Sequence, residues 1–170
     1  NIMPKKSDYP AFDPSSFPAD FLWGAASSSY QVEGAAESDG KGLSVCDVFY
    51  RNPANGWEGD NGDVACDHYN RWKEDLDLMQ EVGLRAYRFS VNWSRVLPEG
   101  VGRINEKGIA FYDRLVDGLL ERGIVPYLTL FHWEYPYALY QRGGWLNARS
   151  PDWFAEYAVL LAKRLGEIGR

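Results

Sequence analysis

Gln31, Arg88, His132 and Trp133 bring an amide, a guanidinium, an imidazole and an indole to segments that read as β-strands. The first segment runs from Phe21 to Ser29 and leads into Gln31-Val32-Glu33-Gly34. The second runs from Leu84 to Ser90, contains Arg88 and precedes Asn92-Trp93. The third runs from Ile124 to Phe131 and is followed by His132-Trp133. An amide donates to one hydroxyl and accepts from the next, which suits a vicinal diol. An indole adds an N–H donor and an aromatic wall. Together these groups point to a sugar ligand. Each also has a plainer reading: Gln31 as a surface residue, His132 as structural, Arg88 as half of an ion pair.

These side chains need a scaffold that brings distant segments together. A helix is expected from Asp67 to Glu81, with Trp72, Leu76, Met79 and Val82 as its buried stripe. A second begins near Asn105 as N-cap, with Ile109, Tyr112, Leu115, Val116, Leu119 and Leu120 inward. A third starts at Ser150-Pro151, Ser as cap and Pro at the first helical position, with Phe154, Tyr157, Ala158, Leu161 and Leu165 inward. Gly83 and Gly123 follow the first two helices as left-handed stops. Strands alternating with helices predict a parallel α/β sheet. Its carboxyl edge, where such folds bind ligands, is the edge that carries Gln31, His132 and Trp133. The pattern of helix, glycine and strand calls for a fourth strand after Gly166. An unpaired strand edge is a liability, so a longer protein or a complementary chain is expected to complete the sheet.

The chain has 170 residues, 45% hydrophobic, with 7 Trp and 11 Tyr. The net charge is −6 and no Lys/Arg cluster stands out, so nucleic acid is not an expected partner. No apolar run reaches the ~18 residues of a membrane span. The first residue is not Met, and the start reads as trimmed. Residues 1–16 read as an arm, 17–170 as part of one domain, and Gly34 to Asp63 as a long Gly- and Asn-rich loop. Cys46 and Cys66 read as two buried free thiols, in keeping with a cytoplasmic location. Asn92-Trp93-Ser94 fits the N-glycosylation pattern but falls at an expected buried strand end.

The segment Phe21-Leu22-Trp23-Gly24-Ala25-Ala26-Ser27-Ser28-Ser29-Tyr30-Gln31-Val32-Glu33-Gly34 resembles the N-terminal signature of family 1 glycoside hydrolases, the β-glucosidase group. The resemblance continues through Gly62-Asp63-Val64-Ala65-Cys66-Asp67-His68-Tyr69 and Tyr87-Arg88-Phe89-Ser90-Val91-Asn92-Trp93-Ser94-Arg95-Val96-Leu97-Pro98. It ends in Leu130-Phe131-His132-Trp133 and Gly143-Gly144-Trp145. It implies a TIM (β/α)8 barrel, of which this chain supplies about the first three βα units. It also implies retaining hydrolysis of β-glycosides by two glutamates, an acid/base after the fourth strand and a nucleophile after the seventh. Both lie outside Asn1–Arg170. On this resemblance Gln31, His132 and Trp133 bind the non-reducing sugar, and Arg88 orients the nucleophile. A 6-phospho-β-glycosidase is the alternative, since the residues that read a phosphate also lie beyond Arg170.

Glu33 and Glu134 are the carboxylates to weigh as stand-in catalysts, although they sit on different strand ends. Relatives commonly carry Asp at the position of Glu134. Asp67 and His68 are ligand types for a metal but lack an evident third partner. Neither a metal nor a cofactor is expected. Two other readings remain: a non-catalytic sugar-binding module, and a barrel fragment that self-associates.

Overall fold

A computed structural model describes residues 13–55 and 59–166. The elements are β1 (Gly24–Ala26), α1 (Ser29–Val32), α2 (Val45–Tyr50), α3 (His68–Glu81), β2 (Ala86–Ser90), α4 (Trp93–Val96), α5 (Glu106–Glu121), β3 (Val125–Thr129), α6 (Tyr137–Tyr140) and α7 (Ser150–Leu165). The three strands form one sheet in the order β1-β2-β3, and both pairings are parallel. Ala26, Arg88 and Tyr127 share one row across it.

The strands are shorter than their apolar runs. Only Gly24–Ala26 of Phe21–Ser29 is strand. One further bond flanks it at each end, from Arg85 N–H to the Trp23 carbonyl at 3.0 Å and from Ser27 N–H to the Arg88 carbonyl at 2.9 Å. Ser28 is extended, and Ser29 opens α1. Serines favour such turns because their hydroxyls compete for backbone partners. Upstream, Phe17, Phe21 and Trp23 pack on one another with ring centroids 4.7–4.9 Å apart.

Helix ends hold both agreement and correction. Gly83 and Gly123 have φ of 79° and 70°. In each turn the glycine N–H reaches back to Gln80 or Leu120 (3.0 Å in both), and the following N–H reaches Met79 (3.0 Å) or Leu119 (2.9 Å). This is the Schellman closure, which needs a left-handed residue at the glycine. Val82 falls in that turn and is exposed, not part of the stripe; Leu120 is also exposed at the end of α5. Asn105 sits at the N-cap of α5, but its side chain makes no cap bond. Its Nδ2 donates instead to the carbonyls of Asp39 at 2.9 Å and Arg95 at 2.8 Å. Ser150 is the first helical residue of α7, not its cap. Its Oγ donates to the carbonyls of Gly144 and Asn147 at 2.6 Å each.

The core lies between the sheet and α3, α5 and α7. Leu76, Ile109, Tyr112, Leu119, Tyr157 and Leu161 are buried there, with Tyr87 and Phe89 from β2. Removing such a side chain costs about 2–5 kcal/mol through lost transfer energy and the cavity left behind. Because successive strand residues face opposite ways, Arg88 projects to the other face from Tyr87 and Phe89. β2 is buried along its length apart from Arg88, whereas Gly24–Ala26 and Tyr127 are exposed.

The long loop carries structure. Ser44 and Asp47 form a capping box that starts α2: Asp47 N–H donates to Ser44 Oγ at 3.2 Å, and Ser44 N–H donates to Asp47 Oδ2 at 2.7 Å. Most of the expected arm, residues 1–12, lies outside the described residues; Pro14–Ser16 forms one 3-10 turn.

Candidate active site

Ser29 joins the carboxyl ends of all three strands. Its N–H donates to Ser90 Oγ, at the end of β2, at 2.8 Å. Its own Oγ donates to Glu134 Oε1, beyond β3, at 2.8 Å. Tyr30 N–H donates to the same oxygen at 2.8 Å. All three residues of this hub are buried. Gln31, Arg88 and His132 each lie two residues from a hub member in sequence. Gln31 and His132 are thereby held at the carboxyl edge of the sheet, while Arg88 lies below that edge, within β2.

Gln31 lies in α1, exposed, with its Oε1 accepting from Ser28 Oγ at 2.8 Å. It borders a hollow shared with Tyr30, Tyr50, Asp60 and Asn61. Arg88 is half-buried at the middle of β2. His132 is half-buried just past β3. Trp133 has φ of 78° and is 74% exposed. A large residue held in the left-handed region is strained, and such strain collects at functional sites. Its indole borders a groove of about 600 Å³ with Cys46, Phe49, Tyr50, Tyr137 and Tyr140.

The two stand-in carboxylates are both buried. Glu33 Oε2 accepts from Arg95 Nε at 2.9 Å, and Glu33 Oε1 accepts from Tyr112 Oη at 2.5 Å. The Arg95 guanidinium lies 4.2 Å from the centre of the Tyr69 ring. Burial raises the Tyr112 hydroxyl well above its ordinary value, and the neighbouring Glu33 charge adds to this. Glu134 has its acceptor oxygen filled by Ser29 and Tyr30, and burial raises its carboxyl above the ordinary 4.5. Glu33 therefore anchors α1 to α4 and α5, and Glu134 anchors one strand end to another.

His68 Nδ1 pairs with Asp75 Oδ2 at 2.5 Å, and Asp67 Oδ1 accepts from Asn70 at 2.7 Å. Among the described residues no group of three His, Cys, Asp or Glu is placed to hold a metal. Among them, too, no helix is long and apolar enough to cross a membrane. Asn92 is buried, and its Oδ1 accepts from Ser94 Oγ at 2.8 Å and Arg95 N–H at 3.2 Å. The glycosylation pattern thus falls on a buried residue, as its place at a strand end led one to expect. Both thiols are free, but Cys66 is exposed and Cys46 half-buried, which corrects the expectation of two buried thiols.

Residues 13–169 match Glycosyl hydrolase family 1. Over 151 residues the chain is 53% identical to β-glucosidase A of Thermotoga maritima, covering 89% of this chain and 34% of that protein. It is 54% identical over 155 residues to aryl-phospho-β-D-glucosidase BglC of Bacillus subtilis, covering 91% and 32%. The solved structure of the Thermotoga maritima β-glucosidase with noeuromycin superposes with a TM-score of 0.87 at 53% identity, covering 89% and 34%. The chain thus spans about a third of the length of these relatives.

Proposed function

The chain belongs to glycosyl hydrolase family 1, and from this we propose that it forms the sugar-holding part of a retaining β-glycosidase. Its three parallel strands are the first βα units of the family's TIM barrel. The observation that carries the reading is the Ser29 hub, which puts Gln31, His132 and Trp133 on the sheet edge where barrel enzymes bind substrate. Gln31 and His132 hold sugar hydroxyls, and the Trp133 indole forms one wall. Arg88, on the opposite face from the helix-packed Tyr87 and Phe89, points toward the barrel interior. There a guanidinium keeps a nucleophile carboxylate ionised and oriented.

Both catalytic glutamates come from the remaining barrel. In the retaining reaction one attacks the anomeric carbon and expels the aglycone, which the other protonates. The second then activates the water that releases the sugar, the two carboxyls standing ~5–5.5 Å apart. This chain alone has no such pair and is inactive on this reading. No cofactor is needed. A cytosolic setting is supported by the two unpaired thiols.

The test is a chimera in which this chain replaces the matching segment of Thermotoga maritima β-glucosidase A. It is expected to hydrolyse an aryl β-glucoside, and a folded chimera without turnover refutes the reading. The similarity to aryl-phospho-β-D-glucosidase BglC supports a second reading, a phosphorylated glycone. Joining this chain instead to the remainder of its own barrel, and comparing glucoside with 6-phosphoglucoside, separates the two.

A further inference from the structure

We propose that Glu134 is a positioning residue that sets the gap between the Gln31 and His132–Trp133 arms of the sugar site. The inference rests on the glycosidase reading above. Glu134 has no contact with the reacting bond on that reading. Its Oε1 accepts two hydrogen bonds, from Ser29 Oγ and Tyr30 N–H, both at 2.8 Å. The two donors immediately precede Gln31, and Glu134 immediately follows Trp133.

One buried carboxylate oxygen therefore clamps the segment that carries the amide to the segment that carries the imidazole and indole. The turn around Glu134 is itself closed, Tyr135 N–H donating to the Trp133 carbonyl at 2.8 Å. Cys46 Sγ reaches the same carbonyl at 3.8 Å. A carboxylate suits this task because it presents an acceptor without a competing donor, and hydrogen bonds to a charged acceptor are the stronger ones. Without the clamp, the two arms lose their fixed separation while each keeps its own side chains.

The experiment uses the chimera with Glu134→Ala, Glu134→Gln and Ser29→Ala. Substrates are an aryl β-glucoside and its 3,4-dideoxy analogue, which lacks the vicinal diol assigned by this proposal to the two arms. Glu134→Ala is expected to raise KM for the glucoside about tenfold with a smaller change in kcat, as misplacement of binding groups does. For the dideoxy analogue KM is expected to be unchanged. Glu134→Gln keeps an acceptor oxygen in place and is expected to restore most of the affinity. Ser29→Ala removes one of the two donors and is expected to raise KM severalfold, so the question stands even where Glu134→Ala does not fold. An unchanged KM in Ser29→Ala and Glu134→Ala, or equal losses on both substrates, overturns the proposal. Turnover by the unsubstituted chimera tests the glycosidase reading separately. If that turnover is absent, calorimetric binding of 1-deoxynojirimycin gives the same comparison, with about tenfold weaker binding expected in Glu134→Ala; binding unchanged in Glu134→Ala, or absent from the unsubstituted chimera, overturns the proposal.

Discussion

Arg95 and Glu33 are joined inside the protein, Nε to Oε2 at 2.9 Å, and neither is open to water. The pair links the residue after α1 to α4, and Tyr112 of α5 donates to the other Glu33 oxygen. Arg95→Met leaves the Glu33 carboxylate buried without its cation. Breaking a buried pair from one side costs about 3–5 kcal/mol. Denaturant unfolding of the chimera is expected to show that loss, whereas a loss below about 1 kcal/mol, the scale of surface pairs, contradicts a structural role for Glu33.

Arg88→Met is expected to lower kcat/KM of the chimera about 100-fold, the scale seen when a preorganised electrostatic group is lost. On the proposed reading the Arg88 cation favours the ionised nucleophile. Without it the nucleophile's pKa rises, so the acid limb of the pH–rate profile moves to higher pH. A profile that falls uniformly, with no movement of that limb, counts against contact between Arg88 and the nucleophile.

Burial raises the Glu134 carboxyl above 4.5 in the folded protein. The unfolded carboxyl sits near its ordinary value, so the folded state binds the proton more readily. Its contribution to stability is complete below that ordinary value and is lost as pH rises through the raised one. Glu134→Gln removes this dependence. Relative to the unsubstituted protein, the variant's stability is expected to increase as pH rises from below 4.5 toward neutral. A constant difference across that range refutes the shift.

The two thiols are expected to react unequally. Cys66 is exposed, while burial pushes the Cys46 thiol up to about 11. Thiolate is the reactive form, so iodoacetamide at pH 8 is expected to label Cys66 well before Cys46. Peptide mapping by mass spectrometry follows both sites, and faster labelling of Cys46 disagrees with its placement.

The alternation of strands and helices, and the glycine stops at Gly83 and Gly123, were legible in the sequence because backbone geometry demands them locally. The strand limits were not, since Ser27–Ser29 look equally at home in a strand or a turn until the hub claims Ser29. Helix α2 hides in a Gly- and Asn-rich stretch, although Ser44-Val45-Cys46-Asp47 holds the spacing of a capping box. The clamp from Glu134 to Ser29 spans 105 residues, and the ion pair from Glu33 to Arg95 spans 62. No local pattern announces either one. A buried carboxylate beside a strand end is as suggestive of catalysis as of structure until its partners are seen.

Gln31, His132 and Trp133 are expected to grip one sugar. A crystal structure of the chimera with 1-deoxynojirimycin tests this most directly. Gln31 and His132 are expected within hydrogen-bond distance, about 2.7–3.2 Å, of ring hydroxyls, with the Trp133 indole against the sugar. A ring bound elsewhere, or one that these three side chains do not touch, contradicts it.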